Sequence, residues 1–150
     1  MGRFVYFTRY IFNRLYLELR PDIFINIFPI LLADNGSEFS NPSAIEFDSQ
    51  GNPRTKIFYC NASAPYQKPN CENNHEMIRR IIPKGIDIGK YTQEQIDLMM
   101  SHINSYSRKN LGDKSPYDVF AFQYGEDILK VFNLKKIPAD EINLTPELLK

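Results

Sequence analysis

The sequence predicts a mixed α/β fold in which two short strands precede several helices. The apolar run 25–32 and the segment 54–60 have the length of strands, and turn-forming residues lie beside them. From residue 70 onward, apolar residues recur at helical spacing, and helix-start signals precede some of these segments. Strands followed by a group of helices are typical of α/β and α+β domains.

The composition is that of a globular domain. The chain has 150 residues, 43% of them hydrophobic and 13% aromatic, which suits one domain with a buried core. Eighteen basic residues balance eighteen acidic ones, so DNA binding would require local clusters of positive charge. The longest uncharged run near the start, 23–33, is too short to span a membrane, and no clean signal peptide is present. With only two cysteines and no disulfide framework, we expect a cytoplasmic bacterial protein without a membrane partner.

The chain should begin with an amphipathic helix over 4–19. The apolar residues of its buried face are Val5, Phe12, Leu15, Tyr16 and Leu19. The helix should end at Arg20, because Pro21 disfavours helical backbone in the residue before it.

Two strands should follow this helix. The run 25–32 is apolar on both faces, which predicts a buried strand in a parallel sheet covered by helices. Pro29 should be its first residue, because proline cannot donate to a strand ladder. The turn 34–36 ends this strand, and residues 54–60 form the second.

The second half of the chain should be helical. The expected helices cover 70–82, 93–105, a segment starting at Pro116, and 126–133. Thr92 and Gln95 form a capping-box pattern before the second of these helices. Residues from 137 onward should be irregular.

Asp34 and Glu72 are the candidate catalytic acids. Asp34 directly follows an apolar strand, where open α/β sheets place ligand groups, although Asp-Asn-Gly is also good turn chemistry without any function. Glu72 lies in the first turn of a helix, where the helix dipole favours a negative charge.

The sequence leaves two other metal chemistries open. Glu72 and His75 resemble half of a di-iron carboxylate motif, which needs a second copy on another helix. A zinc site would have to draw on Cys60, Cys71, His75 and His102. No short Cys-x-x-Cys pair is present, however, and structural zinc sites usually contain one.

Basic residues cluster around the candidate acids. They are Arg54, Lys56, Lys68, Arg79, Arg80 and Lys84, with a second group at Arg108, Lys109 and Lys114. Such side chains are the usual phosphate contacts, and Tyr59 and Tyr66 could stack on bases. A solvated helix face is the simpler interpretation for any single one of them.

Four collinear segments resemble one known family. The sequence 34–39, DNGSEF, is similar to the DNG-x-EF block of DDE transposases and retroviral-type integrases. Segments 66–75 and 78–85 resemble the last catalytic block of the bacterial insertion-sequence-thirty family, and 104–117 resembles its closing segment. The resemblance covers roughly residues 12–133.

This resemblance implies an RNase H-like fold, here partial and with C-terminal helices, that uses two magnesium or manganese ions for phosphoryl transfer on DNA. It assigns Asp34 as the second catalytic aspartate and Glu72 as the catalytic glutamate, both as metal ligands. The expected DNA contacts are Lys68, Arg79, Arg80, Lys84, Arg108 and Lys109. The expected partners are transposon ends, target DNA, and a second copy or a full-length transposase.

Two features depart from the family pattern. Pro69 stands where the family usually has glycine, and neither Glu18 nor Asp22 is placed as the family's first catalytic aspartate. We therefore expect a truncated transposase that is inactive alone, or else a non-catalytic DNA- or transposase-binding fragment. An unrelated metal-binding domain is the third hypothesis. The expected organisation is an unmatched segment 1–11, the integrase-like core 12–85, a helical extension 86–133 and a tail 134–150.

Overall fold

A computed structural model describes the backbone of residues 2–61 and 65–150, with side chains for 8–61 and 66–150. The chain divides into two compact units, residues 1–68 and 69–150. Each unit has its own cluster of buried apolar side chains. Among the described residues, no helix combines the length and the apolar character needed to cross a membrane.

The first unit opens with two helices, α1 (Gly2–Leu19) and α2 (Pro21–Ile27). The predicted first helix and its end at Arg20 are confirmed, since Arg20 has a φ of 68° and breaks the helical backbone. Of the expected buried face, Leu15 and Leu19 are buried, whereas the side chain of Val5 lies outside the described residues.

The prediction of a strand from residue 25 is wrong, because Ile25–Ile27 belong to α2. Proline is well suited to the first turn of a helix, so Pro21 ends one helix and starts the next. Phe24 and Phe28 are four residues apart, and their ring centroids lie 5.0 Å from each other. Phe24 is fully buried, with its ring edge-to-face against Phe12 and Tyr16 of α1. This aromatic packing requires the four-residue spacing of a helix. It therefore decides the local structure against the strand that the apolar run suggested.

The sheet of the first unit consists of two parallel strands, β1 (Ile30–Ala33) and β2 (Lys56–Tyr59). Strand β1 begins at Ile30, one residue after Pro29, which was predicted to be its first residue. One sheet face is buried, with Ala33 and Ile57 packed together with Ile45 of α3 (Ser43–Glu46) and against Phe12.

The opposite sheet face is not covered. Its residues Ile30, Leu32 and Phe58 are 60%, 48% and 52% exposed. The expectation of a strand buried on both faces is therefore wrong. The helices α1 and α3 of this unit supply side chains to one face of the sheet only.

The connection between the strands is held by a buried arginine. Arg54 is only 2% exposed. Its guanidinium donates to the carbonyl oxygens of Ile45 and Ala44 at 2.8 and 3.1 Å. It also lies over the rings of Tyr16 and Phe24, at 5.3 and 5.9 Å from their centroids. The interpretation of Arg54 as an accessible phosphate contact is therefore wrong, because this side chain joins α1 and α2 to the end of α3.

The second unit is helical. Its helices are α4 (Pro69–Ile81), α5 (Gln93–Ser105), α6 (Pro116–Tyr124) and α7 (Glu126–Val131). The predicted capping box is confirmed, since Thr92 and Gln95 exchange side-chain and backbone hydrogen bonds. The core joins Ile81 and Ile82 to Met99, Ile103 and Leu149. The last residues thus pack into the core, although their backbone forms only short 3-10 turns.

Candidate functional site

Asp34 lies immediately beyond the carboxyl end of β1. Because β1 and β2 are parallel, the residues that follow both strands meet at one edge of the sheet. The side-chain amide of Asn35 donates to the backbone carbonyl of Cys60 at 3.3 Å. The backbone amide of Cys60 donates to the carbonyl of Ala33 at 2.8 Å. Asp34 is thereby held at the edge where α/β sheets place ligand-binding groups.

The carboxylate of Asp34 contacts a neutral backbone amide and a charged lysine. Its Oδ1 accepts a hydrogen bond from the backbone amide of Gly36 at 3.1 Å, which forms the predicted turn. Its Oδ2 lies 3.6 Å from the Nζ of Lys68. The side chain of Asp34 is 64% exposed and that of Lys68 only 19%. The turn thus uses one oxygen of Asp34, and an accessible carboxylate still faces solvent.

Lys68 is brought to this edge by the chain that follows β2. The backbone amide of Asn61 donates to the side-chain oxygen of Gln67 at 2.8 Å. This bond fixes the short turn Pro65–Gln67 beside the end of the strand. Of the predicted DNA-contacting cations, Lys68 is the one that the first unit holds beside Asp34.

Glu72 lies in the first turn of α4, as predicted, and is exposed. Its helix belongs to the second unit, so the approach of Glu72 to Asp34 stays a prediction. On the same helix, the Sγ of Cys71 lies 3.9 Å from the Nε2 of His75. His102 is buried in α5, and its Nδ1 accepts a hydrogen bond from the backbone amide of Asn143 at 3.1 Å. Burial lowers the pKa of His102 and so favours its neutral ring. The bond from Asn143 already occupies Nδ1, which is typical of a core histidine.

The described side chains do not by themselves complete a metal site. Within residues 8–61 and 66–150, no three histidine, cysteine or carboxylate side chains are grouped closely enough to hold a metal ion. Asp34 has the oxygen chemistry that magnesium and manganese prefer. Its single carboxylate is nevertheless too small a ligand set for a pair of divalent ions.

The remaining predicted DNA contacts line two cavities of the second unit. Arg79 and Lys84, with His75, border a cavity of about 310 Å³. Arg80, Arg108 and Lys109 border another of about 300 Å³. The first basic group of the sequence is therefore divided, since Arg79 and Lys84 border one cavity, whereas Arg80 borders the other together with two residues of the second group. Residues of α4 line both cavities.

Comparison with curated proteins identifies relatives of this chain. The transposase for insertion sequence element IS1086 of Cupriavidus metallidurans is 35% identical over 66 residues, which are 44% of this chain and 20% of the relative. Transposase InsI for insertion sequence element IS30A of Escherichia coli is 33% identical over 64 residues, or 43% of this chain and 17% of the relative. A putative integrase of Spiroplasma virus SpV1-R8A2 B is 32% identical over 90 residues, or 60% and 27%.

The chain is a distant, partial homologue of insertion-sequence transposases. It spans about a fifth to a quarter of the length of these relatives, and the matches fall in their C-terminal part. No protein-family model matches the chain, and no solved structure matches it significantly.

Several residues that shape these surfaces were not singled out in the sequence of this transposase homologue. Asn35 and Gln67 fix the turns around Asp34, and Tyr106 and Asn73 line the cavity of Arg80. The Asp-Asn-Gly turn signal indicated a side-chain-stabilised turn at Asn35. The family-like segment 66–75 includes Gln67 but assigns it no role, because its bond to Asn61 depends on how the chain leaves β2.

Proposed function

We propose that this chain is a DNA-binding part of an insertion-sequence transposase, with an RNase H-like relationship in its first unit. The observation that carries the proposal is the position of Asp34. It is an exposed carboxylate at the carboxyl edge of a parallel strand pair, within a chain homologous to transposases. Parallel α/β sheets bind their ligands at this edge.

In the intact transposase, Asp34 and Glu72 would be ligands of magnesium or manganese, together with a further carboxylate. Divalent ions at such a centre polarise a DNA phosphate and activate the attacking oxygen. Lys68, beside Asp34, would neutralise this carboxylate when no ion is bound and would contact a DNA phosphate when one is.

By itself, this chain should bind DNA without cutting it. The acids before Asp34 are poorly placed as a third ligand. Glu18 lies in α1 with its Oε1 3.7 Å from Arg14, and Asp22 starts α2 with its Oδ1 3.4 Å from Arg20. Two metal ions held by too few carboxylates lose the geometry of in-line displacement.

DNA binding should depend on the basic residues of α4 and the segments after it. Arg79, Arg80, Lys84 and Lys109 are exposed, and Arg108 is half-buried. None of the five forms an ion pair with another residue of the described chain, whereas Lys56, Lys130 and Lys136 do. Cations without carboxylate partners are available to phosphates, and the phosphates release counterions on binding.

The test is duplex DNA binding by fluorescence anisotropy as a function of salt. Wild type should bind weakly and lose affinity steeply with salt. The double substitution Arg79→Gln with Arg80→Gln should reduce the slope of log K against log salt by about 0.9 for each phosphate contact removed. The matched control is Lys90→Gln with Lys130→Gln, which removes two exposed charges of the same unit and should have little effect.

Nicking of supercoiled plasmid in magnesium or manganese completes this test. We expect no nicking above a metal-free blank. Nicking that Glu72→Gln abolishes would show that the chain alone is catalytic. Absence of salt-dependent DNA binding would contradict the proposed function. It would leave the alternative, a fragment that binds only another transposase chain.

A further inference from the structure

A groove in the second unit combines basic residues with a tyrosine and asparagines, so its chemistry is more specific than positive charge alone. It lies between α4 and the segment 106–110 and encloses about 300 Å³. Its charged wall consists of Arg80, Arg108 and Lys109 against one carboxylate, Glu76. The excess of positive charge favours an anionic ligand.

Arg108 is the part of this groove that is most clearly prepared for a ligand. Its Nε is buried and has no hydrogen-bond partner among the described residues. A buried donor without a partner is costly, and native structures rarely keep one without a reason. Burial also lowers the pKa of the Arg108 guanidinium, yet arginine stays charged in proteins. Because Arg108 lines the groove, a turn of its side chain would bring this donor to an acceptor oxygen of a ligand.

The backbone around Arg108 is fixed although its side-chain donor is unsatisfied. Its amide donates to the carbonyl of Lys114 at 3.0 Å, and its carbonyl accepts from Leu111 and Asp113 at 3.0 and 3.1 Å. The turn is also joined to the start of α4, since the side-chain amide of Asn110 donates to the side-chain oxygen of Asn70 at 3.5 Å. A ligand would therefore meet a guanidinium on a rigid support, which reduces the entropy lost on binding.

The groove also offers a flat ring and amide groups. Tyr106 lines it and is 39% exposed, so part of its ring is available for stacking. Asn73 and Asn110 line the same groove. Asparagine side chains both donate and accept hydrogen bonds, as base edges require. Phosphate, stacking and base-edge partners thus occur together within one small cavity.

We infer that this groove binds one unpaired nucleotide of DNA, with its phosphate at Arg108 and its base against Tyr106. The inference rests on the proposed DNA-binding function and names the part of the substrate that this surface takes. A cavity of about 300 Å³ is at the small end of ligand pockets and cannot admit a duplex. Stacking on a tyrosine face also requires a base that has left its own stack.

The experiment compares a blunt duplex with the same duplex carrying an unpaired three-nucleotide 3′ extension, by anisotropy with the full chain. The extension should tighten binding about 5- to 10-fold, the lower part of what one stacked base supplies. Tyr106→Ala should remove this preference and leave blunt-duplex affinity unchanged. Tyr106→Phe should retain the preference, because the ring remains. Arg108→Gln should reduce it.

Phe122→Ala is the matched control, because Phe122 is an aromatic side chain of the same unit that is 95% exposed and lies outside the groove lining. It should leave both affinities unchanged. Unchanged circular dichroism and urea midpoints would show that each variant is folded. Equal affinity of wild type for the two DNAs, or a preference that survives Tyr106→Ala, would overturn the inference.

Two further measurements distinguish binding of an unpaired nucleotide from the proposed duplex binding and from binding of a free nucleotide. If wild type does not bind the blunt duplex but binds a single-stranded oligonucleotide through Tyr106, the proposed duplex binding fails and the groove assignment stands. Deoxyadenosine monophosphate should not displace the extended duplex at an equimolar concentration. Displacement would identify a site for free nucleotides and overturn the assignment to a DNA end.

Discussion

At the scale of single residues, basic side chains have different roles that depend on where the fold places them. Arg54, Lys68 and Arg80 belong to the same basic segment of the sequence, residues 54–84. Arg54 is buried under two aromatic rings, Lys68 faces the carboxylate of Asp34, and Arg80 lines an open groove. Sequence alone grouped them because charge is visible in a sequence and burial of a charge is not.

Removing the buried charge should cost stability in the first unit. Arg54→Met keeps the length of the side chain but leaves the carbonyls of Ala44 and Ile45 without their donors. We expect a loss of about 2–4 kcal/mol in the free energy of unfolding, measured by urea titration. The control Arg14→Met removes an ion pair with Glu18 whose side chains are 49% and 45% exposed and should cost no more than about 1 kcal/mol. Equal losses would contradict the structural role of Arg54.

Asp34 should be a measurable, if weak, metal ligand. Its carboxylate is 64% exposed, with one turn bond and Lys68 as neighbours, so an ion can reach it. In a manganese titration followed by electron paramagnetic resonance, wild type should bind weakly, and Asp34→Asn should bind more weakly still. The control Asp127→Asn, at a carboxylate that is 93% exposed, should match wild type. Equal affinities of Asp34→Asn and wild type would remove Asp34 from the proposed site.

At the scale of elements, helix boundaries with a local chemical cause were predictable. The hydroxyl of Thr92 accepts from the backbone amide of Gln95, and the side-chain oxygen of Gln95 accepts from the backbone amide of Thr92. Thr92→Ala should therefore destabilise α5 by about 1 kcal/mol, read as a lower urea midpoint at 222 nm. Thr145→Ala is the control, because this exposed threonine makes no side-chain cap bond. An unchanged midpoint for Thr92→Ala would mean that tertiary packing alone fixes the start of α5.

Elements whose cause is tertiary were not predictable in the same way. Pro21 signals both the end of one helix and the start of another, and only the packing of Phe24 against Phe12 and Tyr16 selects the second helix. The tail was expected to be irregular, and its backbone largely is. Burial of Leu149 and the bond from Gln95 to its carbonyl at 3.1 Å join it to α5, through a contact between residues far apart in sequence. The Asp34 turn was predictable for the opposite reason, since Asp-Asn-Gly determines it locally.

At the scale of the whole molecule, we expect the first unit to be the less stable of the two and the more prone to self-association. Within the described residues, its sheet has two strands, which is thin for independent stability. The face formed by Ile30, Leu32 and Phe58 is about half exposed, and the sheet edges offer unpaired backbone groups to another chain. The second unit instead buries a core that extends from α4 to the last residues.

We therefore expect the isolated chain to elute above its monomer mass in size-exclusion chromatography, increasingly so at higher protein concentration. Phe58→Lys should shift elution toward the monomer, because a charge on the exposed sheet face opposes stacking of two such faces. Phe122→Lys is the control, since Phe122 is more exposed but stands on α6 of the second unit. In urea, hydrogen exchange should show the amides of residues 30–59 losing protection before those of α4 and α5. The contrary result is a monomer at every concentration that unfolds in one sharp transition with uniform amide protection. It would mean that the exposed sheet face causes neither self-association nor early unfolding.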